Sequence, residues 1–379
     1  MPFDFATCVR AFKLAYADKP DPRRFVGLTL LLIFGPPVML VNALSLFLDR
    51  VFFPGFTRTE VKAPVFIVGN ARSGTTFMHR LMCEDGQRFT YFRAWELFWP
   101  SLLQKKLIRA LIGVDDTLFG GAIGKGVHRV EDRAFEKARD IHPLTLTGAE
   151  EDETLLVHIF FSTFVNILFP YLRPDQLGYL HFFDRLPAEK RQEVMSFYKE
   201  CVQRQLYLDG GGKILCSKNP LFTTKMRSLK EMFPDARFVY MVRHPYETVP
   251  SLQNMMYSIW KAAWCNVTKD CEAVRLVGET SLDVYKYALE VFAEWPEESW
   301  IMVRYEDLVS DPRGTVEKVY SRLGMDVGPE LAQALQAEAD KAKAYKSKHE
   351  YSLEEFGMDK AHIQKELAEV FRRFGWDPS

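Results

Sequence analysis

The chain carries almost no net charge: 49 Lys and Arg stand against 50 Asp and Glu over 379 residues, a balance of −1 at neutral pH. No global field recruits nucleic acid, so any anion site has to be assembled locally. Cysteine is sparse, with six residues at 8, 83, 201, 216, 265 and 271 and no C-x-x-C pair. Cys265 and Cys271 are close enough to pair or chelate, but no further ligand stands at metal spacing, so the sequence predicts ordinary thiols and no structural metal. Nothing at the N-terminus resembles a cleavable secretory signal, and with this cysteine usage a reducing, cytoplasmic compartment is expected for the catalytic part. Internal repeats and low-complexity tracts are absent too. What remains is length enough for one large α/β domain or two smaller ones, with a substantial core.

Charge is missing again from Phe25 to Leu48, a run rich in Leu, Val, Ile and Phe and bracketed by Arg23-Arg24 and Asp49-Arg50. Its length suits a membrane. Gly35-Pro36-Pro37 would split it into two apolar halves, each too short as a helix to cross a hydrocarbon core of roughly 30 Å. A full span would also carry Arg10, Lys13, Lys19, Arg23 and Arg24 out of the cytoplasm, against the positive-inside tendency. The expectation is therefore an N-terminal helical hairpin over residues 1–60, lying on the cytoplasmic face of a membrane or capping the domain or an acceptor pocket. Residues 61–379 then form the main domain.

From Val61 onward strand and helix alternate. Val65–Val68, Lys213–Cys216, Arg237–Val242 and Trp300–Val303 are short apolar runs, each followed by turn residues and a helical stretch, which predicts a mostly parallel sheet. Between Phe77 and Lys213 the chain reads as mainly helical and would cover the strand C-termini, where ligands bind in open α/β sheets. Gly69-Asn70-Ala71-Arg72-Ser73-Gly74-Thr75-Thr76 joins the first strand to a helix with Walker A spacing, but Thr75 stands where a lysine is expected. Glycines let the backbone amides converge, and the helix N-terminus favours an anion. Without the lysine the loop suits one phosphate or sulfate, met by Arg72, better than a triphosphate.

Val65 to Thr76 resembles the nucleotide loop of sulfotransferases that use 3′-phosphoadenosine 5′-phosphosulfate (PAPS), in particular the bacterial-type branch. The resemblance implies a P-loop-type three-layer α/β sandwich and assigns Arg72, Ser73, Gly74, Thr75 and Thr76 to the 5′-phosphosulfate. Arg243, at a strand end, and Ser251, eight positions on, resemble the family's pair for the 3′-phosphate. Ser217-Lys218-Asn219-Pro220 resembles the Lys-x-Pro element whose lysine contacts the transferring group. Lys346-Ser347-Lys348-His349 is similar to the basic loop that closes over the nucleotide in some members, and Arg304–Leu308 matches a recurrent segment read here as structural.

Sulfuryl transfer is an in-line displacement, so positioning and positive donors should dominate, with Lys218, Arg72 and the loop amides supplying them. The acceptor hydroxyl or amine must lose a proton, which calls for a base. Glu96 falls where several family members place a catalytic glutamate and ranks first. His142 ranks second, as other members use a histidine, and Glu151, in the acidic cluster Glu150–Glu153, ranks third. His128, His158 and His181 are read as structural or solvated. The aromatic run Phe89–Trp99 and the apolar stretch Leu155–Tyr171 suggest a small-molecule acceptor of hydrophobic or lipid-like character, and no metal is expected. Two rivals are a P-loop kinase or nucleotide hydrolase, disfavoured by Thr75 and by the lack of a Walker B aspartate, and a membrane-attached nucleotide-binding protein without catalysis, disfavoured by Lys218.

Overall fold

The computed structural model describes residues 2–17, 21–135, 145–170, 173, 175–343 and 352–376. Two N-terminal helices, α1 (Phe5–Ala17) and α2 (Pro22–Phe52), precede strand β1 (Val65–Gly69), helix α3 (Thr75–Cys83) and strand β2 (Phe89–Thr90). There follow α4 (Ala94–Phe98), α5 (Leu102–Phe119), α6 (Ala122–Phe135), α7 (Val165–Leu168) and α8 (Ala188–Leu208). The second half comprises β3 (Ile214–Lys218), α9 (Met226–Met232), β4 (Arg237–Val242), α10 (Pro245–Ala262), α11 (Glu272–Glu294), β5 (Trp300–Arg304) and α12 (Tyr305–Ser310), then further helices.

The five strands lie in the order β2-β3-β1-β4-β5, and every pairing is parallel. All five residues of β1 are buried, as expected for a central strand covered on both faces. The expected α/β architecture is thus present, and the four apolar runs are its strands to within a residue or two. β2 escaped the pattern because two residues show no periodicity; it forms by pairing Phe89 with Ile214 and Thr90 with Leu215. Register fixes the site: Ile67 lies opposite Lys218, Gly69 opposite Met241 and Val242 opposite Arg304, so the four loops leaving these strands share one edge.

The N-terminal segment departs from the expected hairpin. Pro36 and Pro37 lie inside one continuous 31-residue helix, about 46 Å long. The two prolines remove the amides that would bond the carbonyls of Leu32 and Ile33, while the turns on either side continue the ladder. The helix pair at this end is α1 with α2, joined by Tyr16 hydroxyl to Thr29 Oγ1 at 3.1 Å. Both pack on the body, with Ala11, Ala15, Leu28 and Leu46 in the same core cluster as Phe66 and Tyr240. Asp49, near the end of α2, accepts from Leu102 N and Leu103 N, each at 2.9 Å, and from Arg204 Nε at 2.8 Å. The carboxylate thereby caps α5 and neutralises a guanidinium that is only 2 % exposed.

Candidate active site

β1 runs straight into the glycine loop. Gly69 has φ 144°, and a Cβ there would come within 2.3 Å of Met241 O. Gly74 has φ 91°, and its Cβ would meet the Tyr305 ring at 2.6 Å. Both positions therefore exclude a side chain. Arg72 also adopts a positive φ, 70°, a conformation costly for a non-glycine residue and kept only where neighbours enforce it. The enforcement is visible: Ser73 Oγ donates to Asn70 O at 2.6 Å, and Asn70 Nδ2 donates to Ser281 O at 2.8 Å on α11. No side chain caps the N-terminus of α3, where Gly74 is the N-cap and Thr75 and Thr76 form the first turn, so its amides face outward for an anion.

The strand that follows on the other side brings the second basic group to the same place. Arg72 Nε donates to Ser251 Oγ at 3.0 Å, and Arg243 Nη1 donates to Arg72 O at 3.3 Å. Arg243 also pairs with Glu247 one helical turn on. Its guanidinium lies 4.1 Å from the centre of the Tyr305 ring, and Tyr285 donates to Arg243 O at 2.6 Å. Burial pushes the Tyr285 phenol up, so it stays a donor. Arg72 lies 171 positions before Arg243 and 179 before Ser251 in the chain, yet the three form one cluster at the sheet edge. Tyr305 is the residue the sequence reading passed over: it closes on Gly74 and supports Arg243, and the Arg304–Leu308 match was its one available signal.

Lys218 ends β3 and is fully buried, with Nζ 2.8 Å from Glu151 Oε1. Glu151 keeps 18 % of its side chain exposed, so the pair opens toward solvent on the carboxylate side. Beside it, buried Asp152 accepts from Tyr198 hydroxyl at 2.6 Å and Ser217 Oγ at 2.8 Å. Burial outweighs those hydrogen bonds and raises its carboxyl to about 6. Glu96 sits differently. Its side chain is 0 % exposed, Oε2 accepts from Arg93 N at 2.9 Å and Gln205 Nε2 at 3.3 Å, and Oε1 accepts from Arg109 Nη2 at 3.3 Å. It completes the capping box that starts α4. The structure therefore brings Glu151, ranked third from sequence, to Lys218, and gives Glu96 a capping role with both oxygens occupied. His142, Lys346 and Lys348 lie outside the described residues. His158 and His181 are lowered by burial, the latter to about 3, and bond to Leu97 O and Asn166.

The glycine loop, the two arginines beyond it and the buried lysine on the neighbouring strand all lie at the C-terminal edge of a parallel sheet, where ligands bind in open α/β folds. Known proteins agree. The chain is 26 % identical over 345 residues to omega-hydroxy-beta-dihydromenaquinone-9 sulfotransferase Stf3 of Mycobacterium bovis and of Mycobacterium tuberculosis, covering 89 % of this chain and 82 % of the relative. Sulfotransferase STF9 from Mycobacterium avium superposes with a TM-score of 0.73 at 18 % identity, over 100 % of this chain and 98 % of its own. Sulfotransferase STF1 from Mycobacterium tuberculosis gives 0.64 at 21 %, over 89 % and 84 %. These two show the shared fold. The profile of the Sulfotransferase family matches residues 64–329, from the residue before β1 to the start of the helix that opens at Pro329, and the chain belongs to that family.

Proposed function

We propose that this enzyme transfers the sulfuryl group of PAPS to a hydroxyl of a lipid-like acceptor at a membrane surface. The observation that carries the donor assignment is the junction of two anion-binding elements: a loop lacking the Walker lysine, and Arg243 with Ser251 one hydrogen bond away through Arg72. One element suits the 5′-phosphosulfate and the other a second phosphate, the group that separates PAPS from adenosine 5′-phosphosulfate and, with the missing lysine, from ATP.

Each residue then has a task. The amides of the α3 first turn, the hydroxyls of Thr75 and Thr76 and the guanidinium of Arg72 hold the donor in line. Glu151 takes the proton from the acceptor hydroxyl as its oxygen attacks sulfur. Its neutralisation releases the ammonium of Lys218 to meet the charge that develops on the leaving phosphate oxygen. Pairing the two in the resting site keeps a buried ammonium compensated until that moment.

The acceptor class rests on the surface. Along α2, Phe34, Leu40 and Phe47 are 63, 69 and 62 % exposed, and on the adjoining α5 and α6, Leu118 and Val130 are 69 and 67 % exposed. α2 packs on α5 and α5 on α6, so these side chains extend one apolar face. The run without charge along α2 is bracketed by Arg23-Arg24 and Asp49-Arg50, and the exposed Arg23 and Arg50 at its two ends suit a helix that lies at a lipid interface. The mycobacterial relatives are named for a hydroxylated menaquinone, an acceptor of the same class. The test of the donor is Arg243→Ala. Binding of adenosine 3′,5′-bisphosphate should weaken 10- to 100-fold, roughly the worth of one charge-assisted hydrogen bond, while AMP binding barely changes. Equal loss for both ligands overturns the assignment.

A further inference from the structure

Among the described residues, one group of His and Cys side chains is gathered as a ligand set: a ring nitrogen of His79, Cys83 Sγ and Cys216 Sγ all lie within 4.8 Å of one another. None of the three has a task in the transfer reaction proposed above. His79 and Cys83 stand one helical turn apart on α3, so they share a face. Cys216 comes to them from β3, 137 positions after His79.

The imidazole is prepared in a particular way. His79 is 1 % exposed, and its Nε2 lies 3.1 Å from Cys216 O, an acceptor only, so Nε2 carries the proton. The second nitrogen, Nδ1, is buried without a hydrogen-bond partner. A buried polar atom left unmatched is costly. A ring whose second nitrogen donates to a backbone carbonyl is also how metal-binding histidines are commonly oriented.

We propose that His79, Cys83 and Cys216 bind a thiophilic divalent cation of the zinc class, which clamps α3 to β3. Charge supports the choice, because two thiolates and a neutral imidazole leave a dication electrically neutral in a site where an unbalanced ion is expensive. Geometry is within reach as well. Tetrahedral zinc at its usual bond lengths needs sulfurs about 3.8 Å apart and sulfur to nitrogen about 3.5 Å, contractions of at most about 1.0 and about 1.3 Å from the 4.8 Å limit, which side-chain rotation supplies. Cys83 is half-buried while Cys216 is closed off, so the fourth position opens past Cys83 for a water molecule. The clamp would tie the C-terminus of the helix that follows the phosphate loop to the strand that ends in Lys218, two residues beyond Cys216.

The test uses the full chain, reduced and freed of metal, titrated with Co²⁺ and then Zn²⁺. One equivalent of Co²⁺ should produce the intense near-ultraviolet charge-transfer absorption of a thiolate–cobalt bond, Zn²⁺ should displace it, and zinc should raise the melting temperature. Cys83→Ser, which preserves size at a half-buried position, should abolish the absorption and the zinc-dependent shift while leaving the far-ultraviolet dichroism unchanged. His79→Ala should weaken Co²⁺ binding at least tenfold. Absence of the absorption in the reduced wild-type chain overturns the proposal. So does metal binding that persists in Cys83→Ser, or a chain that binds no cobalt and proves 2 Da lighter before reduction, the mark of a disulfide pair instead.

Discussion

Removing the Asp49 carboxylate should be among the most destabilising single changes in the molecule. The side chain is 0 % exposed, its partner Arg204 is 2 % exposed, and the two amides it caps belong to the first turn of α5. Arg204 is otherwise held by Leu46 O at 3.0 Å, Glu200 O at 3.1 Å and the Phe56 ring at 4.1 Å, and its Nη1 lies 3.5 Å from Glu200 Oε2. That second carboxylate is 31 % exposed and offsets the charge only in part. In Asp49→Ala the guanidinium is left without its buried partner, which costs about 3–5 kcal/mol, and the loss of a helix cap adds about 1 kcal/mol. A total of about 4–6 kcal/mol is a large share of the 5–15 kcal/mol that holds a typical domain. Urea unfolding followed by far-ultraviolet dichroism measures it. The double variant Asp49→Leu with Arg204→Met should recover most of the loss, because a buried pair replaced by apolar groups of similar volume is often neutral. A loss below about 1 kcal/mol for Asp49→Ala, or strict additivity in the cycle, refutes the reasoning, since buried partners in contact must couple.

Three further outcomes follow from the site. Glu151→Gln should lower kcat by roughly 10²–10⁴-fold with little change in nucleotide affinity, Lys218→Ala should lower kcat far more than it raises KM for the donor, and Glu96→Gln should chiefly reduce stability; normal turnover in Glu151→Gln with a collapse in Glu96→Gln reverses the assignment. The Asp152 carboxyl is raised by burial from 3.8 to about 6 in the folded chain, so its favourable contribution is complete below about pH 4 and is lost as pH rises through 6. Wild type should therefore lose about 3 kcal/mol relative to Asp152→Asn across that window, and parallel stability–pH curves would contradict it. Replacing Leu40 and Phe47 together with Asp should release the enzyme from phosphatidylcholine vesicles in a sedimentation assay without altering adenosine 3′,5′-bisphosphate binding; undiminished sedimentation removes α2 as the contact.

The parts of the site that were legible in the sequence are those encoded locally. The glycine loop announces itself because Gly69 and Gly74 adopt a backbone open mainly to glycine. Arg243 and Lys218 were singled out by resemblance to family motifs, and each follows an apolar strand run that the pattern does reveal. The choice among carboxylates was not legible: Glu96 and Glu151 both sit beside apolar runs, and only tertiary contacts bury one among Arg93, Arg109 and Gln205 while turning the other to Lys218. The tandem prolines misled for a related reason. Their cost is two hydrogen bonds, which is enough to argue for a break, yet long apolar turns on each side and packing on α5 hold the helix together. The grouping of His79 and Cys83 with Cys216 was invisible because its third member lies on a strand 137 positions after His79.

α2 is fastened near both ends. Arg24, near its start, donates to Leu168 O at 2.8 Å and Ala263 O at 3.3 Å, and Asp49, near its end, is locked to Arg204. A helix held at two points cannot pivot on the body as a tethered anchor would. Any surface that engages its outer face therefore sets the heading of the whole catalytic unit and the standoff between that surface and the phosphate loop. Under the acceptor assignment proposed above, the enzyme would work as a ruler, sorting acceptors by how far their hydroxyl projects before any contact in the pocket tells one chemical group from another.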